Sequence, residues 1–289
     1  MRIGLTGATG IAGRFVADDL GAAGLSVVTL GRRPLRDLPH RDWHLGAAAP
    51  DLSGLDMLVH AAFAHVPGRY RGGEGDDPGA FLLANLDGTR RLFDAAAAQG
   101  VPVIFLSSRA VFDALPAGTD LTEDMAPAPA SLYGRVKAEA EAHLAALPVP
   151  GWSLRATGLY GAPPLGPGDP APAWEKWRAL FADFLAGRAI APRRGTEVHG
   201  SDLAQAVRIV ISRRPAARAL HVSDILLDHH DLLARVARLT GSASPLPARS
   251  DAPVSVLDCA RLRALGWSPG GEAALDAALP VILDRFGMA

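Results

Sequence analysis

Alternating strand and helix signals, a glycine loop between the first strand and helix, and a Pro/Gly break after residue 160 together predict an α/β protein. The expected architecture is a doubly wound parallel sheet of the Rossmann type with a smaller, discontinuous α/β lobe. Residues 1–160 with about 196–221 are assigned to the sheet unit, and about 161–195 with 222–289 to the lobe.

The elements follow in order. Ile3–Thr6 is a short apolar strand, and Gly7, Gly10 and Gly13 come next at intervals of three, leading into a helix over Ile11–Ala23. Strands are predicted at Ser26–Leu30, Met57–His60, Val103–Ser107 and Trp152–Arg155. Between them lie helices at Pro78–Gln99 and Ala130–Leu147, the second entered through Pro127, Pro129 and Ser131. Val66–Asp77 is a charged, glycine-rich loop leaving the third strand. Past the break at Gly161–Pro172, helices are expected at Trp174–Gly187, Ser201–Ser212 and Asp228–Thr240, with a Pro-rich loop over Ser244–Pro253.

Composition narrows the function classes. Lys and Arg number 29 against 30 Asp and Glu, a balance without the basic surplus expected of nucleic-acid or anionic-membrane binders. Cys259 is the single cysteine, so no intramolecular disulfide can form, and it is read as a packed core thiol. No apolar run reaches the length of a membrane span, and no targeting segment is expected ahead of the first strand. A soluble, cytoplasmic protein is expected, with a small-molecule substrate and no nucleic-acid or membrane partner.

The opening loop carries the strongest chemical signal. Glycines let a backbone turn tightly and approach a pyrophosphate, and the helix behind them offers free N–H groups. Gly7, Thr9, Gly10, Ile11 and Gly13 are the candidate dinucleotide contacts. After the second strand, where an acid would bond a ribose 2′-hydroxyl, stand Arg32 and Arg33. Guanidinium groups suit a 2′-phosphate, so NADP(H) is favoured, with NAD(H) as the alternative.

Tyr133 and Lys137 lie four apart on one helical face. An ammonium beside a phenol favours phenolate and equips the tyrosine for proton transfer near neutral pH. The strand at Val103 delivers Ser107 and Ser108 to the same sheet edge. The chain has two lysines, Lys137 and Lys176, which singles out Lys137.

With these motifs in place, the sequence resembles an extended short-chain dehydrogenase/reductase of the NAD-dependent epimerase/dehydratase type. The matching pieces are Thr6–Gly13, Leu58–Ala62, Asn85–Thr89, Phe105–Phe112, Tyr133–Lys137, Leu154–Gly161, Val198–Ala204 and Leu257–Pro269. The resemblance implies roles. Tyr133 would exchange the proton, while Lys137 would hold the nicotinamide ribose and tune Tyr133. Ser108, preferred to Ser107 by its offset from Val111, would bond the substrate oxygen. Asn85 would be structural or part of a proton relay. His60, Ala61 and Ala62 would line the cofactor. Candidate substrate contacts are His65, Arg69, Arg109, Thr157 and His199.

The implied activity is hydride transfer between a nicotinamide and a secondary alcohol or ketone of a small, sugar-like substrate. The alternatives are a nucleotide-sugar epimerase or dehydratase that retains its cofactor, and a non-catalytic NADP-sensing protein. A homodimer is implied, with the small side chains of Leu92–Gln99 and Ala138–Leu147 exposed for helix packing. Three departures stand out: the arginines after the second strand, no evident adenine-contacting Asp in Trp43–Gly46, and Thr157-Gly158 where nucleotide-sugar epimerases often carry Asn.

Other clusters read more simply. Asp228-His229-His230-Asp231 lacks metal-ligand spacing and is taken as an exposed helix start, with no metal site expected. Trp174, Trp177 and Phe181 have helical spacing and suit a core or pocket wall. His65, Arg69, Tyr70 and Arg71 could touch substrate or form a solvated lid. Arg193 and Arg194 could bind an anion or face solvent.

Overall fold

The computed structural model describes residues 1–66, 72–170 and 175–289. Arg69, Tyr70, Arg71 and Trp174 lie outside the described residues. The strands are β1 (Arg2–Thr6), β2 (Ser26–Gly31), β3 (His40–Asp42), β4 (Met57–His60), β5 (Val103–Ser108), β6 (Asp120–Leu121), β7 (Gly151–Ala156), β8 (Gly158–Tyr160), β9 (Arg194–His199), β10 (Ala219–Val222), β11 (Ile225–Asp228) and β12 (Val256–Leu257). The α-helices are α1 (Ile11–Ala22), α2 (Pro78–Leu82), α3 (Gly88–Ala98), α4 (Leu132–Ala146), α5 (Arg178–Leu185), α6 (Gly200–Arg213), α7 (His229–Thr240), α8 (Ala260–Ala264) and α9 (Gly271–Phe286).

Seven strands form the main sheet in the order β10-β7-β5-β4-β1-β2-β3, and every neighbouring pair is parallel. All seven therefore end on one edge. The chain reverses its direction of travel across the sheet between β1 and β4, and an open α/β sheet has its ligand crevice at that point. The inner strands are buried on both faces, which explains their unbroken apolar runs. On one face, Phe15, Val16 and Leu20 of α1 and Leu203, Val207 and Val210 of α6 share a core. On the other, Leu92 and Phe93 of α3 pack with Ala140 and Leu144 of α4.

A three-stranded sheet, β11-β9-β8, forms the smaller unit with α5, α7 and α9. Two pieces cross the division read from sequence. β8 pairs with β9, and β9 in turn with β11, not with the main sheet. Leu257, Cys259, Leu262 and Trp267 return to the core under α1 and α6.

Several expectations are corrected. The helix expected over Pro78–Gln99 is interrupted by a π-helical turn, Leu83–Asp87, that contains Asn85. The helix expected from Trp174 begins at Arg178, because Trp177 has φ +69° and cannot continue a right-handed helix. The start of α7 is half-buried and not exposed: His229 and His230 are partly covered, and Asp228 caps His230 N at 2.8 Å. The alanines of α3 and α4 are not all exposed, since Ala96 and Ala140 are in the core. Across the outer seam, Arg90 meets Glu139 at 3.0 Å and His143 meets Asp94 at 2.7 Å. The sequence reading did not place β3, β6, β8, β9, β10, β11, β12, α8 or α9. β3, β6, β8, β12 and α8 are too short to show a period. α9 contains Pro280, which obscures its stripe of Leu275, Leu279, Ile282 and Leu283.

Candidate active site

The glycine loop is built for close approach. Gly7 has φ +69°, and a Cβ there would lie 2.6 Å from the Ala62 nitrogen. A Cβ on Gly13 would fall 2.2 Å from the Gly7 carbonyl oxygen, so α1 begins directly beneath the loop. Gly10 is exposed and would meet nothing nearer than that same oxygen at 3.3 Å, which leaves its outer side open to a ligand. Gly10 also stands at the N-cap of α1 without a capping side chain, so the first N–H groups of the helix face the crevice. These features fit a dinucleotide pyrophosphate.

Beside the loop, the Thr6 hydroxyl accepts from the Ala61 and Ala62 nitrogens, each at 3.2 Å, and meets His60 Nδ1 at 2.7 Å. His60 Nε2 meets the Thr89 hydroxyl at 3.1 Å, and the ring stacks on Phe105. Both ring nitrogens are thus engaged. Burial, with Lys137 nearby, pushes His60 down to about 3, so it is neutral. His60 supports the loop from beneath, and Ala61 and Ala62 form the adjoining wall.

Asn85 holds the next stretch. It is buried, its Nδ2 donates to the carbonyls of Ala64 (2.7 Å) and Phe81 (3.0 Å), and its Oδ1 accepts from Ala64 N (2.7 Å). The role visible in these contacts is structural: a side chain completing the backbone pairing of the chain as it leaves β4.

Tyr133 and Lys137 come together on α4. The helix is started by the Ser131 hydroxyl, which accepts from Gly134 N at 3.0 Å. A Cβ at Gly134 would strike the Ala110 carbonyl oxygen at 2.3 Å, so α4 lies directly against the turn after β5. Lys137 is buried; its Nζ donates to the Leu106 carbonyl at 2.7 Å and lies 4.5 Å from the ring centres of Phe63 and Phe105. The Tyr133 ring centre is 5.9 Å from the same Nζ, and its edge meets Phe63. Burial lowers Lys137 to about 7, with Glu141 opposing the shift. Leu106 precedes the two serines of β5. Ser107 points inward and donates to Glu141, whereas Ser108 is half-buried and its hydroxyl accepts from Ala110 N at 3.1 Å. Ser108 is therefore the serine on the open side.

The remaining candidates scatter. Arg32 and Arg33 are exposed just past β2. His65 is part-buried against Phe63, which lowers its pKa. Arg109 Nη1 donates to the Ser255 carbonyl at 3.4 Å, and the Thr157 hydroxyl donates to Ser223 at 3.3 Å. His199 caps α6 through Nδ1 while its ring packs between Phe15 and Tyr160, so its visible task is structural. Arg194 Nε donates to the Ala252 carbonyl at 2.7 Å, while Arg193 is exposed.

Two features escaped the sequence reading. Asp42 ends β3 opposite Gly31 of β2, which sets an exposed carboxylate at the sheet edge beside Arg32. An acid one residue before Trp43 was the available signal. Arg14, fully buried, donates to the Thr9 carbonyl at 3.1 Å and to Asp169 at 3.0 Å, and Arg36 reaches the same carboxylate at 3.1 Å. This clasp ties the loop after Gly161 to the back of the glycine loop. No local pattern could announce a pairing across 155 residues.

A switch-point glycine cradle on an all-parallel sheet defines a Rossmann fold with a dinucleotide-binding edge. Residues 3–222 match the model of the NAD dependent epimerase/dehydratase family, and the chain belongs to that family. It is similar to the dTDP-4-dehydrorhamnose reductase of Mycolicibacterium smegmatis, at 26% identity over 224 residues, 77% of this chain; the match spans 64% of that relative's length. It also resembles the UDP-glucose 4-epimerase of Thermus thermophilus solved with NAD, at 25% identity and a TM-score of 0.76 with 100% of both chains covered. The UDP-glucose 4-epimerase of Brucella ovis, also with NAD, shares the fold at 21% identity and a TM-score of 0.82, over 100% of this chain and 99% of that one.

Proposed function

We propose that the chain is an NADP(H)-linked oxidoreductase acting on a secondary alcohol or ketone of a small, sugar-like substrate. The observation that carries this reading is the buried Lys137 amine, held by the Leu106 carbonyl next to Tyr133 and Ser108 at the edge that bears the glycine cradle. When bound, the dinucleotide supplies or accepts the hydride. Gly7, Thr9, Gly10, Ile11 and Gly13 would cradle its pyrophosphate and the exposed Arg32 and Arg33 its 2′-phosphate, while the exposed Asp42 would meet the adenine amine. Ser108 would bond the substrate oxygen and Tyr133 would give or take its proton. A cationic Lys137 would hold the ribose and favour the phenolate. His65, Arg109 and Thr157 would meet the substrate where the smaller unit adjoins the sheet.

The match to a nucleotide-sugar reductase supports a net reduction, and a balanced charge, with no helix among the described residues long and apolar enough to cross a membrane, is consistent with a cytoplasmic enzyme. Pairing of α3 and α4 with a second copy would give the homodimer. A second reading, an epimerase or dehydratase with retained cofactor, is favoured by the Arg14–Asp169–Arg36 clasp, which would slow exchange of a bound nucleotide. Absorbance of the purified protein separates the two, since a stoichiometric oxidised nucleotide points to the second. For the main reading, Tyr133→Phe should abolish turnover of 4-keto nucleotide sugars with NADPH while leaving NADPH affinity within about twofold. Full activity in that variant would refute it.

A further inference from the structure

Glu141 lies one turn beyond Lys137 on α4 and is buried. Its carboxylate accepts three hydrogen bonds from the Arg155 guanidinium of β7, at 2.7, 3.0 and 3.2 Å, and one from the Ser107 hydroxyl of β5. Arg155 and Ser107 are register partners on adjacent strands, so one carboxylate fastens the tyrosine–lysine helix to both strands at the catalytic edge. Structural fastening alone would not call for an ionised pair, which apolar groups often replace at no loss of stability.

The surroundings of Lys137 suggest what the charge is for. The groups facing it are two aromatic rings, the Leu106 carbonyl, Tyr133, His60 and His65. Burial lowers the pKa of both histidines and so disfavours their charged forms. Glu141 brings a carboxylate one turn along the same helix, fixed on Ser107, the residue after the Leu106 that holds Nζ, and it opposes the effect of burial on the amine.

We propose that Glu141 is a positioning residue: its clamped carboxylate is the counter-charge that keeps the buried Lys137 amine an ammonium before cofactor arrives. The inference rests on the reading of Lys137 as the ribose-holding cation, but it is testable without cofactor, turnover or substrate. The chain has two lysines, so protein labelled with ¹³Cε-lysine gives two resonances, with Lys176, paired to Glu197, as internal reference.

In cofactor-free protein, Glu141→Gln should move the Lys137 midpoint down by about one pH unit and leave Lys176 in place. Because that variant strands the Arg155 charge, which itself disfavours an ammonium, the double variant Glu141→Gln/Arg155→Met provides a second measurement with both charges gone, and a smaller downward shift is expected. A Lys137 midpoint that stays put or rises in either folded variant overturns the proposal and leaves Glu141 a structural clamp. Loss of turnover in Tyr133→Phe, or its absence, bears on the function proposed above and not on this titration.

Discussion

Asn85 offers the sharpest test of how the site is held. Its amide makes three hydrogen bonds, at 2.7, 2.7 and 3.0 Å, to Ala64 and Phe81. Asn85→Leu keeps the volume and removes all three. At about 1 kcal/mol each, with one bond in part recovered by water at the exposed Ala64, the loss is about 2–3 kcal/mol. A chain of 289 residues unfolds with an entropy of about 0.6 kcal/mol/K, so the melting temperature should fall by about 3–5 °C. Asn85→Asp sharpens the test, because an ionised carboxylate can accept from Ala64 N but cannot donate to the two carbonyls. Its carboxyl pKa in the folded state would rise above the unfolded value. The stability it retains is then greatest below the unfolded pKa and is lost as pH climbs through the folded one. Thermal unfolding followed by circular dichroism from about pH 4 to pH 8 should therefore show Asn85→Asp nearest to wild type in acid and weakest at the alkaline end. An Asn85→Leu melting point within about 1 °C of wild type, or an Asp penalty that is flat with pH, would refute the staple.

Other consequences can be read in parallel. Gly13→Ala sets a methyl 2.2 Å from the Gly7 oxygen, a clash with backbone that cannot swing away, so NADPH affinity should drop at least tenfold and stability by about 1–3 kcal/mol; unchanged binding by fluorescence titration would contradict the close packing. Replacing Arg32 and Arg33 with Ser should weaken NADPH binding about tenfold or more while sparing NADH, and equal losses for both cofactors would remove the 2′-phosphate role. Lys137 titrates near 7 when folded against about 10.4 unfolded, so between those values the unfolded chain binds more protons and stability rises with pH. Chemical denaturation at several pH values should show that rise in the cofactor-free protein and a flatter curve for Lys137→Met; parallel curves would contradict the buried amine.

What could be read in one dimension was whatever repeats locally or occupies a fixed offset. The four strands from Ser26 to Trp152 and the helices between them announce themselves because inner strands are buried on both faces and helices on one. The glycine spacing and the Tyr133–Lys137 offset are legible for the same reason: each is a geometry completed within two turns of chain. The preference for Ser108 over Ser107 came from an offset in the family resemblance, and in the structure the Ser107 hydroxyl is taken by Glu141. Folding alone decided which distant groups meet. Burial brings Arg14 to Asp169 and Glu141 to Arg155, and it moves Lys137 and His60 away from their ordinary pKa values. It also gives His199 a capping task and opens the π-turn that aims Asn85 at Ala64. The physical reason is desolvation, since a charge or an amide must find a partner once water is excluded, and the partner is set by strand order and helix packing, which adjacent residues do not encode.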